Sequence, residues 1–243
     1  MFFAKEGEFE ACGLFSSGHF ALLFLTILSV IGLVLLSKNK TKSEIKKEIK
    51  FITLLMWVFE FFRIGYKLYC GDYMFLESYM PLFYCSIFLY AGLLSSFGRG
   101  IFQRTGDVVL ATGSLVGGII FLIFPTTSLP TYPAFHFVSI HSFLYHGAMV
   151  YVGLTVLATR YIELNKKDIW RYFSLVVVLC LVALVINNIF DCNLMFISNG
   201  FPGRLGKELF LATGKFYTPL AILVHLFLPY YVVYGINKKL SLS

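Results

Sequence analysis

Charge is scarce in this chain. Only 14% of its 243 residues are Asp, Glu, Lys or Arg, against 58% hydrophobic, and mean hydropathy is +0.79. That balance excludes an ordinary soluble domain, whose charged share is about a quarter. No linker or low-complexity tail breaks the pattern, so one domain over residues 1–243 is expected. No internal repeat stands out, which argues against an inverted-repeat transporter. The five cysteines fit no zinc spacing, and His141 and His146 are not in an HExxH arrangement, so neither a metal nor a cofactor is expected. The first apolar run follows a short acidic segment, FFAKEGEFEA, without a small-residue cleavage pattern, and no cleavable signal peptide is expected. The net charge of +7 is no sign of nucleic-acid binding, because the basic residues lie between apolar runs.

Long apolar runs are what the chain does have. Runs of about 18 or more residues read as membrane-spanning helices. Seven are expected, over 19–36, 51–69, 79–97, 108–124, 137–159, 172–190 and 216–235. Fourteen Lys and Arg fall in 37–50, 98–107, 160–171 and 236–243, on one side of the seven spans. Only Lys5, Arg204, Lys207 and Lys215 fall on the other. The positive-inside rule then gives an all-α, seven-transmembrane-helix bundle with its N-terminus outside and its C-terminus cytoplasmic. Cys12, Cys70 and Cys192 gather at the outer ends, and a disulfide among them is left open.

Ionisable residues within spans are candidates for function by default. In the second span Glu60, Arg63 and Lys67 are spaced i, i+3, i+7 and share a helix face. They read either as a neutralised Glu60–Arg63 pair or as cations holding an anion such as a lipid phosphate. In the third span Pro81 is expected in the first helical turn, with Cys85 on the same face about 9 Å below the outer boundary. His141 and His146, in VSIHSFLYHGAMV, point about 140° apart, at depths of about 6 and 14 Å. Ser139, Ser142 and His146 form one stripe; His141 shares its face with Tyr145. Asn187, Asn188 and Asp191 lie at the outer end of the sixth span, and His225 near the middle of the seventh. The seventh span holds no lysine, which excludes a retinal Schiff base. GSLVGG in the fourth reads as close helix packing. The polar residues gather in the outer half, which predicts a cavity opening outward or sideways above a sealed apolar inner half.

Three stretches carry a resemblance: MPLFYCSI (80–87), FLYHGAMV (143–150) and CNLMFI (192–197). With the seven-span layout, the chain resembles the YwaF-like bacterial membrane proteins, which share a family with transmembrane protein 164. It departs from the bacterial pattern at Phe83, where histidine is frequent, and at Leu194, where an aromatic residue is expected. The resemblance implies a cysteine-dependent acyltransferase acting on a membrane phospholipid or lysophospholipid in the bacterial cytoplasmic membrane, or a lipid hydrolase if water is the acceptor. Cys85 is then the nucleophile and His146 its base. The residues alone permit supporting roles for His141, Ser142, Asn187, Asn188 and Asp191, and ligand contacts for Glu60, Arg63, Lys67 and His225. The alternative is a non-enzymatic seven-helix receptor or transporter for a small polar ligand.

Overall fold

Two helix starts are written into the local sequence. Ser16 caps α1 (Ser17–Ser37), its hydroxyl accepting from the His19 amide at 3.2 Å. Thr41 caps α2 (Lys42–Cys70) through a reciprocal capping box with Glu44. In the computed structural model, which describes residues 1–71 and 76–240, seven further helices follow. They are α3 (Ile87–Phe97), α4 (Ile101–Val109), α5 (Leu115–Ile123), α6 (Phe137–Ala158), α7 (Asp168–Phe190), α8 (Arg204–Thr213) and α9 (Tyr217–Leu240). A π-helical turn, Leu110–Ser114, joins α4 to α5 in one continuous rod. No strand occurs among the described residues, and the fold is all-α.

Five stretches are long and apolar enough to cross a membrane: α1, the α4–α5 rod, α6, α7 and the run from α8 through α9. Helix α2 has the length, but its apolar part carries Glu60, Arg63 and Lys67. Helix α3 with the turn before it is a shorter apolar helix, Tyr84–Phe97. The protein is therefore a multi-pass membrane protein. The α4–α5 rod and α6 form its centre, with 78% and 72% of their apolar windows buried, whereas α1, at 11%, lies on the outside. The exposed leucines and phenylalanines of α1 and α7 are the lipid-facing surface that such a protein needs.

Several boundaries differ from expectation. Helix α2 begins at Lys42 and the α4–α5 rod at Ile101, so the basic segments expected as loops continue the helices beyond the apolar layer. Helix α8 was not expected; its apolar positions are too few to read as a span. The largest difference is in the third run, which does not turn helical until Tyr84. Pro81 has no N–H to give and steers Met80 away from helical geometry. Pro81 is therefore not in a helical turn, and it shares no helix face with Cys85. The half of the bundle toward the basic end, expected to be sealed and apolar, is not purely apolar: Ser95, Asp107, Thr112, Ser114, Thr155 and Asp168 are buried. All five cysteines are free, so no disulfide joins Cys12, Cys70 and Cys192.

Each end of the bundle is tied differently. At the end carrying the N-terminus, the amino segment folds over the helices: Phe137 N–H donates to the Phe2 carbonyl at 2.8 Å and Cys12 N–H to Tyr132 at 3.0 Å. At the opposite, basic end, Tyr151 hydroxyl joins Ser37 of α1 (2.7 Å) to Glu48 of α2 (2.6 Å). Fully buried Asp168 accepts from Arg104 at 2.6 Å and Arg171 at 2.9 Å.

Between the ends the helices approach through small residues, as membrane helices do where lipid supplies no hydrophobic driving force. A Cβ on Gly106 of α4 would strike the Ser95 amide nitrogen and the Ala91 carbonyl oxygen of α3. On Gly118 it would meet the His146 carbonyl oxygen at 3.0 Å, so the GSLVGG segment does pack closely. Gly32 of α1 has open space around it. Gly106→Ala should therefore destabilise the protein by about 1–3 kcal/mol, because backbone must move to admit the methyl group. Gly32→Ala should not destabilise it; thermal unfolding of both variants in detergent checks the contrast.

Candidate active site at the start of α3

The non-helical stretch before α3 leaves backbone groups that no helix pairs, and its neighbours pair them instead. Tyr90 hydroxyl donates to the Pro81 carbonyl at 2.8 Å, Met195 N–H to Leu82 at 3.1 Å, and Arg63 Nη1 to Ser78 at 3.1 Å. Cys85 sits in the 3-10 turn Tyr84–Ser86 that starts α3 and is partly accessible. A helix N-terminus favours negative charge, so a thiolate is better accommodated there than in mid-helix.

Tyr145 of α6 connects this turn to both histidines. Its hydroxyl donates to the Cys85 carbonyl at 3.3 Å. Its ring stacks on His141 (centroids 5.9 Å) and meets His146 edge-on at 5.3 Å. His146 also stacks on Phe121 of α5, with centroids 3.5 Å apart and planes 8° off parallel. His146 Nδ1 donates to the Ser142 carbonyl at 2.7 Å, which leaves the lone pair on Nε2. That Nε2 is buried with no hydrogen-bond partner among the described residues. The imidazole is thus held by the Ser142 backbone and by Phe121, not by the Ser142 hydroxyl. Neither ring nitrogen of buried His141 has a hydrogen-bond partner among the described residues; its Nε2 lies 3.8 Å from Glu60 Oε2.

Glu60 and Arg63 form a two-pronged ion pair, Nη2–Oε1 at 2.7 Å and Nε–Oε2 at 3.0 Å. With Ser78 as its third acceptor, Arg63 is fixed by the fold. Both charges lie within electrostatic range of Cys85. Lys67, a turn further along α2, donates to Tyr132 hydroxyl at 2.7 Å. The structure thus gathers Cys85, Tyr145, Glu60, Arg63 and His141 around the start of α3, while His146, next to Tyr145 on α6, is held by Phe121 and the Ser142 carbonyl and makes no bond to Cys85 among the described residues.

The other expected residues lie elsewhere. Asn187 is a clamp: its amide donates to the Leu194 carbonyl (3.1 Å) and Ser198 hydroxyl (2.8 Å) while its oxygen accepts from Leu194 N–H (2.8 Å). Its donors are thereby committed to the loop after α7. Asn188 bonds its own helix at Leu184 and is exposed. Asp191 ends α7 in left-handed conformation, exposed to the surroundings. Neither Asn188 nor Asp191 reaches the start of α3, so neither the oxyanion role open to Asn188 in sequence nor a supporting role for Asp191 has a basis in its position. His225 alone of these touches the turn that starts α3: its ring meets Tyr84 edge-on at 4.6 Å, and its carbonyl accepts from Tyr172 (2.8 Å). Tyr145, the residue that links the site, stood in sequence only as a face-mate of His141; a tyrosine inside an apolar run gives no other signal.

Two concavities lie among the described residues, and neither is lined by Cys85, Tyr145, His141, His146, Glu60 or Arg63. One, of about 530 Å³, is an apolar groove along α2 lined by Phe3, Phe61, Phe62, Gly65, Tyr66 and Tyr69. The other, of about 580 Å³, lies at the basic end. No group of three or more His, Cys, Asp and Glu gathers as metal ligands among the described residues.

A family model, that of the TMEM164 family, matches residues 14–236. The chain belongs to the TMEM164 family. Comparison with curated proteins and with solved structures gave no match. Every residue around the start of α3 falls inside the stretch shared with the TMEM164 family. The amino segment that caps the bundle does not.

Two outcomes follow. Glu60→Gln leaves the Arg63 guanidinium without its counter-charge in a mostly buried place, and should cost about 3 kcal/mol of stability in thermal unfolding. The second concerns His136, just outside α6, whose Nδ1 accepts from Val138 N–H (3.1 Å) while Nε2 donates to the Ala4 carbonyl (3.0 Å). Burial holds its pKa below the ordinary histidine value, so the docked amino segment favours the neutral ring. Its contribution is complete above the unfolded value of about 6.5 and is lost as pH falls below it. Hydrogen-exchange protection of the Phe137 amide should fall from pH 7.5 to 5.5 in the wild type, and His136→Gln should abolish that pH dependence.

Proposed function

We propose that the protein is a seven-span, single-domain enzyme, N-terminus outside and C-terminus cytoplasmic, that moves an acyl chain between a membrane phospholipid and a lysophospholipid through Cys85. The cell membrane, for a bacterial chain the cytoplasmic membrane, supplies both lipids. The observation that carries this reading is Cys85, a partly buried residue at a helix start whose carbonyl accepts from Tyr145 of α6, the helix that also carries two buried imidazoles with nitrogens unpartnered among the described residues.

The chemistry is that of a Cys–His pair. The Cys85 Sγ proton passes to His146 Nε2, and the sulfur attacks the ester carbonyl carbon. The resulting oxyanion is met by the Tyr145 hydroxyl, whose present bond to the Cys85 carbonyl is long and readily exchanged. The ester C–O bond then breaks. His146 returns the proton to the departing glycerol oxygen, leaving lysolipid and an acyl-cysteine. In the second half a lysolipid hydroxyl attacks the thioester while His146 takes its proton; the thiolate leaves and recovers that proton. Water in place of the lysolipid gives hydrolysis. The apolar groove along α2 offers a place for an acyl chain beside the Glu60–Arg63 pair.

Intact-protein mass spectrometry after incubation with phosphatidylcholine tests this reading. A hydroxylamine-labile increment of acyl-chain size is expected on the wild type and absent from Cys85→Ala. His146→Gln should slow its formation by about 100-fold or more. His141→Gln should slow it less, its ring being nearer Glu60 than the proposed proton path. If Cys85→Ser retains full biological activity and no increment forms, the protein is better read as a receptor or transporter in which Glu60, Arg63 and His141 form a proton-sensitive gate.

A further inference from the structure

At the basic end, the starts of α2 and α4 face each other across an open cavity of about 580 Å³. That size is typical of a small-molecule site. Its wall carries Lys42, Lys46 and Arg104, with Gly100, Gln103 and Tyr161 between them. Lys42 and Lys46 stand one turn apart on the same face of α2. Lys46 Nζ crosses to Gln103 Oε1 at 2.8 Å, and the Gln103 amide reaches Tyr161 hydroxyl at 3.3 Å. Arg104 is held in place by Asp168. Lys42 has no hydrogen bond or ion pair among the described residues. The wall's single carboxylate, Asp107, accepts from Ser95 hydroxyl at 2.6 Å and lies within electrostatic range of Lys46 and Arg104, so it offsets one of the wall's three positive charges.

Two further features point the same way. The turn into α4 runs through Gly100 at φ 55°, ψ −119°, a conformation suited to glycine, and no side chain caps the first amides of α4. The rim beside it is apolar and exposed: Phe97 at 54%, Ile101 at 64% and Phe102 at 64%. Lys50 lies over the Phe97 ring, 4.7 Å from its centre. A cationic cavity with an uncapped helix start and an oily rim suits a group with a charged head and apolar tails.

We propose that this cavity binds a phosphate group, that of an anionic phospholipid in the leaflet at the basic end. A free soluble phosphate shares the same recognition chemistry, and the apolar rim favours the lipid. The site is separate from the start of α3 and does not rest on the acyl-transfer reading.

The test uses the full-length protein in phosphatidylcholine nanodiscs, titrated with labelled phosphatidylglycerol. Saturable binding is expected. Lys42→Gln and Lys46→Gln should each weaken it about fivefold, the usual effect of one basic residue near a membrane surface. Lys38→Gln and Lys167→Gln remove the same charge from exposed positions outside the cavity and should leave binding unchanged. Lys42 is exposed and makes no bond, so its replacement leaves folding intact, as thermal unfolding will verify. Displacement of the lipid by millimolar inorganic phosphate, with the same lysine dependence, supports the phosphate site and assigns it to a soluble ligand. Absence of saturable binding, or equal weakening by the control variants, overturns the proposal.

Discussion

Backbone N–H and C=O groups that enter an apolar layer must find partners within the protein, because lipid offers none. The nine α-helices among the described residues meet that demand with their own hydrogen bonds. The stretch from Ser78 to Phe83 does not, and much of the surrounding structure exists to complete it. Arg63 answers Ser78, Tyr90 answers Pro81, Met195 answers Leu82, and the Ser86 hydroxyl accepts from Phe83 N–H. Each answer has its own requirement. Arg63 needs Glu60 as counter-charge, and Glu60 draws His141 to within 3.8 Å. Met195 is held at φ 57° and Phe196 at φ 55°, an uncommon conformation for side-chain-bearing residues. The Asn187 clamp and the Tyr217 hydroxyl on the Phe196 carbonyl sustain it. The candidate site is thus a by-product of mending a broken helix.

Much of the fold was legible from hydropathy alone. The runs at 137–159 and 172–190 correspond closely to α6 and α7, because an apolar helix in lipid announces itself by composition. Charge hid the rest. Lys42 to Lys50 and Ile101 to Asp107 read as polar connections, yet each is the continuation of a membrane helix past the apolar layer. The Glu60–Arg63 pair was visible as an i, i+3 spacing, since both partners lie on one helix. The contacts that define the site, Tyr145 on Cys85 and Phe121 on His146, join separate helices, and no local spacing encodes them. Pro81 was in view, but its consequence depends on whether the chain enters the layer as helix, which a single proline leaves open.

The two ends of the molecule solve different problems. At the amino end, uncharged contacts dominate: Phe2 and Phe3 pack among Phe62, Phe135 and Phe137, and backbone bonds fasten the segment. At the basic end, formal charges do the fastening, with Asp168 between two arginines and Glu48 between Lys40 and Tyr151. The proposed phosphate cavity draws on the second set, and the proposed acyl-transfer site lies nearer the first. One protein can therefore contact both leaflets by different chemistry.

The π turn at Leu110–Ser114 fixes the rotational phase between the two halves of the central rod. Before it, Gly106 and Asp107 face α3; after it, Gly117, Gly118 and Phe121 face Tyr84 and α6. A π turn holds one residue more than the α-helical path it replaces. Wound as regular α-helix, the same residues would carry that extra residue forward and turn everything beyond it by about 100° while leaving Asp107 where it is. Phe121 would then leave the face of His146, and the imidazole would lose the surface that orients it. The aim of a side chain in one half of the rod is set by how the turn between the halves is wound.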